Sequence, residues 1–209
     1  AIVREVRDGT VGRLRMVAIR EHRFPFLVKV GNWNRFNRNT GGTLVEKCCH
    51  FFDLMNVLAA DTPVRVLASG GQAVNHLAER YDGERPDILD NAYVIVEYEG
   101  GARAMLDLCM FAEASKNEQE ICVVGDEGKV EALVTEGLAR VGRRAAGGRE
   151  LLPARRHELV QLGRNHGDAV MASHTGTAVA LPTPVGIGWR LARRWMATGA
   201  PLLSASTTT

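Results

Sequence analysis

The sequence lacks any long hydrophobic run, and no stretch approaches the roughly 18 apolar residues of a membrane span. No secretory signal with an apolar centre and a small-residue cleavage site is recognised. The formal net charge is only +2, too small to indicate nucleic-acid binding. An arginine-rich stretch over residues 143–156 surrounds Ala-Ala-Gly-Gly and is interpreted as a solvated loop. These absences predict a cytoplasmic protein that binds neither membranes nor nucleic acid.

Cysteine is scarce, and its spacing fits no covalent framework. Cys48, Cys49, Cys109 and Cys122 match neither a zinc site nor a disulfide-rich domain. On a helix, the adjacent Cys48 and Cys49 would point to different faces. The pattern is typical of a reducing compartment and predicts no bound metal.

The composition that is present is that of a globular protein. Charged residues make up 24% and hydrophobic residues 45% of the 209-residue chain, which is ordinary for a soluble fold. This length suffices for one domain with a substantial core, but not for two full domains. We expect one domain over residues 1–199 and a flexible tail over 200–209.

Short apolar runs joined by tight turns dominate the part of the chain after residue 60. The opening residues predict the end of a helix closed by Gly9, followed by a strand over 14–22 and a helix over 43–55. Further strands are predicted at 64–68, 93–98, 104–110, 121–124, 130–134 and 138–141. Because most of these strands form hairpins, we predict an α+β fold with an open, predominantly antiparallel sheet and helices on one face. The uncovered face favours self-association.

Ionisable residues form one stripe on the otherwise apolar helix over 43–55. Glu46, His50 and Asp53 follow the i, i+4, i+7 spacing, with Lys47 beside them. Each has an ordinary interpretation: Thr43 and Glu46 as a capping box, Asp53 as the partner of an arginine, and His50 as a core histidine. Together, a base, a carboxylate and an ammonium in one stripe favour a proton-transfer site.

The same segment resembles a known family. Gly41-Gly42-Thr-Leu-Val-Glu46-Lys47-Cys-Cys-His50-Phe-Phe-Asp53 is similar to the catalytic helix of the oxidoreductases named for glucose-fructose oxidoreductase, inositol dehydrogenase and the MocA rhizopine protein. There a glycine pair precedes an acidic residue, then histidine and aspartate at the same spacing. The family's acidic residue is usually aspartate, so Glu46 departs from the pattern, and Lys47 is atypical. The resemblance covers about residues 2–110 and extends more loosely to 140.

This resemblance implies NAD- or NADP-dependent hydride transfer to or from a sugar, inositol or similar polyol. His50 would act as general base, Glu46 would orient its ring or bind an adjacent hydroxyl, and Asp53 would support the imidazole. It also implies assembly into a homo-oligomer through the open sheet.

The family's nucleotide-binding domain is expected to be absent from this chain, because no Gly-x-Gly-x-x-Gly turn precedes Gly9. The Gly186-Ile-Gly188 segment lacks the third glycine and a following acidic residue. We therefore expect no cofactor-binding residues here, and this chain alone to be inactive.

Polar and aromatic residues elsewhere are candidates for substrate contact. Lys29, Trp33, Asn34 and Arg35 lie in the loop before the catalytic helix, and aromatic faces beside amides and cations suit a polyhydroxy ligand. The alternative is a surface loop anchored by Trp33 and Phe36. Lys47 and His166 complete the predicted substrate-binding set.

Two other classes of function remain open. The chain could be a non-catalytic ligand-binding or oligomerisation module that retains the helix for packing. It could also bind a metal through Glu46, Cys49, His50 and Asp53, whose helical spacing permits shared coordination.

Overall fold

The computed structural model describes the backbone of residues 2–145 and 148–153 and the side chains of residues 2–144. Its helices are α1 (Ile2–Arg7), α2 (Asn37–Thr40), α3 (Thr43–Glu46) and α4 (Cys49–Ala59), with a 3-10 segment at Val30–Arg35. Its strands are β1 (Leu14–His22), β2 (Pro63–Gly71), β3 (Asn91–Tyr98), β4 (Arg103–Cys109), β5 (Gln119–Gly125), β6 (Gly128–Leu133), β7 (Leu138–Ala145) and β8 (Gly148–Pro153).

The eight strands form one open sheet in the order β2-β3-β4-β1-β5-β6-β7-β8. Every neighbouring pair is antiparallel except β1 and β4, which run parallel. The predicted α+β class and predominantly antiparallel sheet are confirmed. The solvated loop expected around Ala-Ala-Gly-Gly is wrong in part, because its flanking residues pair as the β7–β8 hairpin.

The core lies between one face of the sheet and the helices. Alternate strand residues point to that face, so Ile19 and Leu106 are fully buried. Helix α4 contributes Phe51, Met55 and Leu58, whose spacing places them on one side of the helix. The core thus fixes α4 against the strands, and the end of β1 comes to lie beneath the start of this helix.

The opposite face of the sheet is uncovered in the described structure. Leu67, Ile95 and Met105 are neighbours across β2, β3 and β4, and they are 44%, 38% and 37% exposed. This apolar row lies between two rows of ion pairs, Arg65–Glu97–Arg103 on one side and Arg20 with Asp107 and Glu120 on the other.

None of the described helices is long and apolar enough to cross a membrane. His166, the Gly186–Gly188 segment and the expected tail over 200–209 lie outside the described residues.

Candidate functional site

The candidate site lies where β1 ends against the junction of α3 and α4. Gly41 and Gly42 have φ angles of 77° and 85°, a backbone conformation that strongly favours glycine. They turn the chain into α3, which begins at Thr43 with Gly42 as its N-cap. The Thr43 hydroxyl donates to the Leu89 carbonyl oxygen instead of capping the helix. The capping-box interpretation of Thr43 and Glu46 is therefore wrong.

The helix expected over 43–55 is interrupted. Helix α3 ends at Glu46 and α4 begins at Cys49, so Lys47 and Cys48 form the junction. Cys48 is buried and Cys49 exposed, as their adjacency predicts. Burial, reinforced by the nearby Glu21 carboxylate, raises the pKa of the Cys48 thiol well above its usual range. Cys48 is therefore a neutral packing residue and no nucleophile.

A buried carboxylate lies beneath this junction. Glu21, near the end of β1, is 0% exposed, and its Oε1 lies 2.8 Å from Lys47 Nζ and 3.4 Å from Arg23 Nη1. Both cations thus share one oxygen. The second oxygen, Oε2, is also buried and has no hydrogen-bond partner among the described residues. The Lys47 side chain is 16% exposed, so its ammonium group lies at the boundary between the core and solvent.

His50 lies on the first turn of α4, three residues after Lys47, and is half-buried. Its ring packs against Phe51, with centroids 4.0 Å apart. Glu46, at the end of α3, is also half-buried. The α3–α4 junction therefore places a carboxylate, an ammonium and an imidazole within five residues, close to the buried Glu21.

Asp53 differs from these residues. It is exposed on α4, and no hydrogen bond or ion pair joins its side chain to another described residue. The expected support of the imidazole by Asp53 is thus not seen in the structure.

Two of the predicted substrate residues have structural roles instead. Asn34 is 0% exposed and donates through its amide to the Leu27 carbonyl, at 3.0 Å. Arg35 is 2% exposed and donates to the Phe26 carbonyl at 3.1 Å. Both hydrogen bonds join the end of the loop to its beginning. The burial of Asn34 and Arg35 thus differs from the exposed position expected of substrate-contacting side chains.

Arg35 also ties this loop to the segment between β2 and β3. Its Nε donates to Glu79 Oε2 at 3.0 Å, and Glu79 accepts further hydrogen bonds from His76 and Tyr81, both at 2.8 Å. Burial tends to raise the pKa of Glu79, but these donors and the Arg35 charge outweigh it and lower that pKa. The loop is consequently held by an ionised carboxylate. Lys29 is exposed and Trp33 is 40% exposed on its outer side, so both remain available to a ligand.

The metal alternative finds no support in the described residues. Among them, no group of three histidine, cysteine, aspartate or glutamate side chains is arranged to hold a metal ion.

Glu21 belongs to the polar end of the first strand, residues 20–23, but the predicted catalytic and substrate-binding sets do not include it, although a signal for its burial was present. Val17, Ile19 and Glu21 alternate along β1 and share the helix-covered face. A carboxylate in that position has to be buried, and a buried charge requires a partner or a function.

Comparison with known families identifies the class of this domain. The family described as "Oxidoreductase family, C-terminal alpha/beta domain" matches residues 3–162. The chain belongs to this family, the Gfo/Idh/MocA oxidoreductases, as the resemblance of residues 41–53 predicts. None of the curated proteins compared with the chain matches its sequence significantly.

Several solved structures share the fold. An oxidoreductase domain protein from Kribbella flavida is 17% identical with a TM-score of 0.63, over 74% of this chain and 43% of that one. A levoglucosan dehydrogenase in complex with NADH and levoglucosan is 16% identical with a TM-score of 0.60, over 73% and 42%. An aldose-aldose oxidoreductase from Caulobacter crescentus in complex with glycerol is 18% identical with a TM-score of 0.52, over 82% and 50%. The chain therefore spans half or less of the length of each of these proteins.

Proposed function

We propose that this domain is the substrate-binding and proton-transfer half of an NAD(P)-dependent oxidoreductase acting on a hydroxyl carbon of a sugar, inositol or similar polyol. The observation that carries the proposal is the half-buried His50 beside Lys47 and Glu46 in a domain of an oxidoreductase family. The levoglucosan dehydrogenase with NADH and levoglucosan supports this chemistry for a protein of the same fold.

The nicotinamide cofactor needs a further domain. Dinucleotides are held mainly by a strand-turn-helix unit whose glycines let backbone amides approach the pyrophosphate. Among the described residues no strand leads through such a glycine turn into a helix of two turns or more. We therefore infer that a separate nucleotide-binding domain holds the cofactor. The bound nicotinamide would supply hydride acceptance and donation.

In this proposal, the residues of the junction bind and deprotonate the alcohol. His50 accepts the hydroxyl proton through a ring nitrogen as the carbon is oxidised. Lys47 donates a hydrogen bond to a neighbouring hydroxyl, and Glu46 either accepts one or orients the imidazole. Trp33 and Lys29 would contact the sugar from the loop. In the reverse direction, the protonated His50 returns its proton to the alkoxide.

The test is His50→Ala in the complete protein, defined as this domain with its nucleotide-binding domain, assayed with NAD and NADP against a panel of sugars and inositols. General acid–base catalysis contributes about 100-fold or more, so turnover should fall by at least that factor at saturating cofactor. Cys49→Ala, an exposed neighbour on α4, is the control and should retain wild-type turnover. Turnover of His50→Ala close to that of the control would refute the assignment.

A second substitution separates packing from chemistry at Glu46. Glu46→Gln preserves the size of the side chain, so the free energy of unfolding should change by less than about 1 kcal/mol. Loss of the charge should lower turnover and shift its pH profile. A variant that loses stability but keeps the wild-type pH profile would assign Glu46 a structural role only.

A non-catalytic binding or oligomerisation module remains the alternative function. It predicts that even the complete protein has no nicotinamide-dependent turnover with any polyol, while a sugar still binds or the protein still assembles. Calorimetry with the same panel, together with the activity assay, distinguishes the two.

We also propose that the chain forms a homo-oligomer through the open face of the sheet. The row formed by Leu67, Ile95 and Met105 presents apolar surface between charged rows, which is the anatomy of an interface with a polar rim. Ile95→Lys should convert the assembly to monomers in light-scattering measurements. Val57→Lys, at an equally exposed position on α4, should leave the assembly intact.

A further inference from the structure

The pairing of Glu21 with Lys47 is not explained by stability. Removing a carboxylate and an ammonium from water costs several kcal/mol per ion, and apolar residues of similar volume are often as stabilising or more so. Here the cost is increased because one carboxylate oxygen, Oε2, is buried without a hydrogen-bond partner among the described residues. This buried ion pair is more readily explained by its effect on the position of the side chain that Glu21 holds.

The group that it holds is Lys47. An ammonium has three N–H donors, and the contact with Glu21 Oε1 at 2.8 Å uses one of them. The side chain retains 16% exposure and emerges at the α3–α4 junction, three residues before His50. A flexible lysine would otherwise adopt many rotamers, and the buried carboxylate restricts it to the site.

The charge of the Lys47 ammonium is compensated at close range. Its Nζ lies 2.8 Å from Glu21 Oε1, whereas Arg23, which shares that oxygen, lies 3.4 Å away. A ligand that contacts the Lys47 ammonium therefore meets a donor whose charge is already compensated. Such a donor suits a neutral hydroxyl, whereas an uncompensated cation would favour a carboxylate.

We propose that Glu21 is a positioning residue that orients Lys47 as a hydroxyl donor to the substrate and makes the site selective for a neutral polyol over the corresponding sugar acid. The inference rests on the proposed function. Glu21 acts through Lys47, and its own carboxylate does not touch the reacting atoms.

The first test is a double-mutant cycle of Glu21→Gln and Lys47→Met in the complete enzyme. A hydrogen bond to a charged group corresponds to about 10- to 100-fold in affinity, so each single substitution should raise the polyol KM by that factor. The cofactor KM should stay unchanged. If Glu21 acts through Lys47, the double variant should be no worse than Lys47→Met alone. Asp107→Asn, which removes a carboxylate from the opposite face of the sheet, is the control and should leave both KM values unchanged.

The second test is specificity, which a merely structural role would not change. Glu21→Gln leaves Lys47 and Arg23 without the carboxylate that they share, so the ratio of kcat/KM for a sugar acid to that for the neutral sugar should rise by about 10-fold or more. Lys47→Met should not show this rise.

The third test uses the 209-residue chain itself. Urea unfolding of the triple variant Glu21→Met, Arg23→Met, Lys47→Met, which removes both cations together with the carboxylate that they share, should show a midpoint equal to or above that of wild type, because apolar side chains remove a desolvation cost. Three results would each overturn the inference: additive effects of Glu21→Gln and Lys47→Met on the polyol KM, an unchanged ratio of sugar-acid to neutral-sugar kcat/KM, or a markedly lowered unfolding midpoint.

The same experiments separate this inference from the proposed function. If the wild-type enzyme shows no nicotinamide-dependent turnover, the proposed function itself is refuted. An active wild type with additive effects refutes the positioning role alone.

Discussion

Arg20 and Glu21 are adjacent on β1, yet they lie in different environments. Glu21 faces the helices, is fully buried and pairs with Lys47. Arg20 faces the open side, is 48% exposed and pairs with Asp107 at 3.2 Å and Glu120 at 3.1 Å. Ion pairs in water are screened and contribute little, whereas a buried pair is costly and becomes strongly destabilising if one partner is removed. Ion pairs of similar length therefore affect the stability of the fold differently on the two faces of the sheet.

The largest expected difference between the faces concerns packing. Leu106 on β4 is 0% exposed in the core, and its neighbour Met105 points to the open face with 37% exposure. Leu106→Ala should lower the free energy of unfolding by about 2–5 kcal/mol, because it leaves a cavity. Met105→Ala should cost less than about 1 kcal/mol in the dissociated chain. Urea unfolding at low protein concentration measures both, and equal losses would contradict the assignment of the core to one face.

A smaller effect is expected at Asp90, a buried carboxylate that is held by backbone amides rather than by a cation. Its Oδ2 accepts hydrogen bonds from the amides of Val74 and Asn75, both at 2.7 Å. Burial raises the pKa of Asp90, but these amides and that of Ala73 outweigh it and lower the pKa. Asp90→Asn should cost about 1–3 kcal/mol near pH 7.

The pH dependence of that loss has a definite sign. A depressed pKa in the folded state means that the carboxylate stabilises the fold above its unfolded pKa, about 3.9. This contribution disappears as the pH falls through the folded pKa. The stability difference between wild type and Asp90→Asn should therefore be constant above about pH 5 and should shrink on further acidification. A difference that grows in acid would show that the amides do not hold the ionised form.

The smallest effect is expected from the open-face ion pairs. Arg20→Gln removes the contacts to Asp107 and Glu120, but because the arginine is half-exposed the change should be below about 1 kcal/mol and should vanish at high salt. Arg65→Gln, which removes a similar contact to Glu97, serves as a matched comparison. A loss above 2 kcal/mol in the monomer would show that the open face is not equivalent to solvent.

Much of the fold was predictable because strand periodicity and turn residues are local signals. The strand over 14–22 matches β1 at both ends, and both hairpins after residue 90 are present. The sequence analysis missed the 3-10 segment at Val30–Arg35, helix α2 and strand β8. Strand β8 was missed because the arginines and the Ala-Ala-Gly-Gly stretch are equally typical of a loop and of a polar hairpin. The position of β1 between β4 and β5 was also not predictable, since the alternation of buried and exposed residues along a strand does not indicate which strands pair with it.

The site was predicted in part for the same reason. Glu46, Lys47 and His50 lie within five residues of one another, so they stay close in space even though the helix is interrupted between α3 and α4. Asn34 and Arg35 illustrate the limit: a polar loop residue can bind a ligand or satisfy a buried carbonyl, and only the contacts to Leu27 and Phe26 decide which.

The sequence by itself determined the α+β class and, through the residues at 41–53, the family, because both depend on local spacing. Only the tertiary structure decided that Glu21 lies beneath Lys47, that the Thr43 hydroxyl donates to the Leu89 carbonyl oxygen, and that the described residues leave one sheet face uncovered. Each of these features requires residues far apart in sequence to pack together. Which distant residues come into contact depends on the burial free energy of the whole domain rather than on any local pattern.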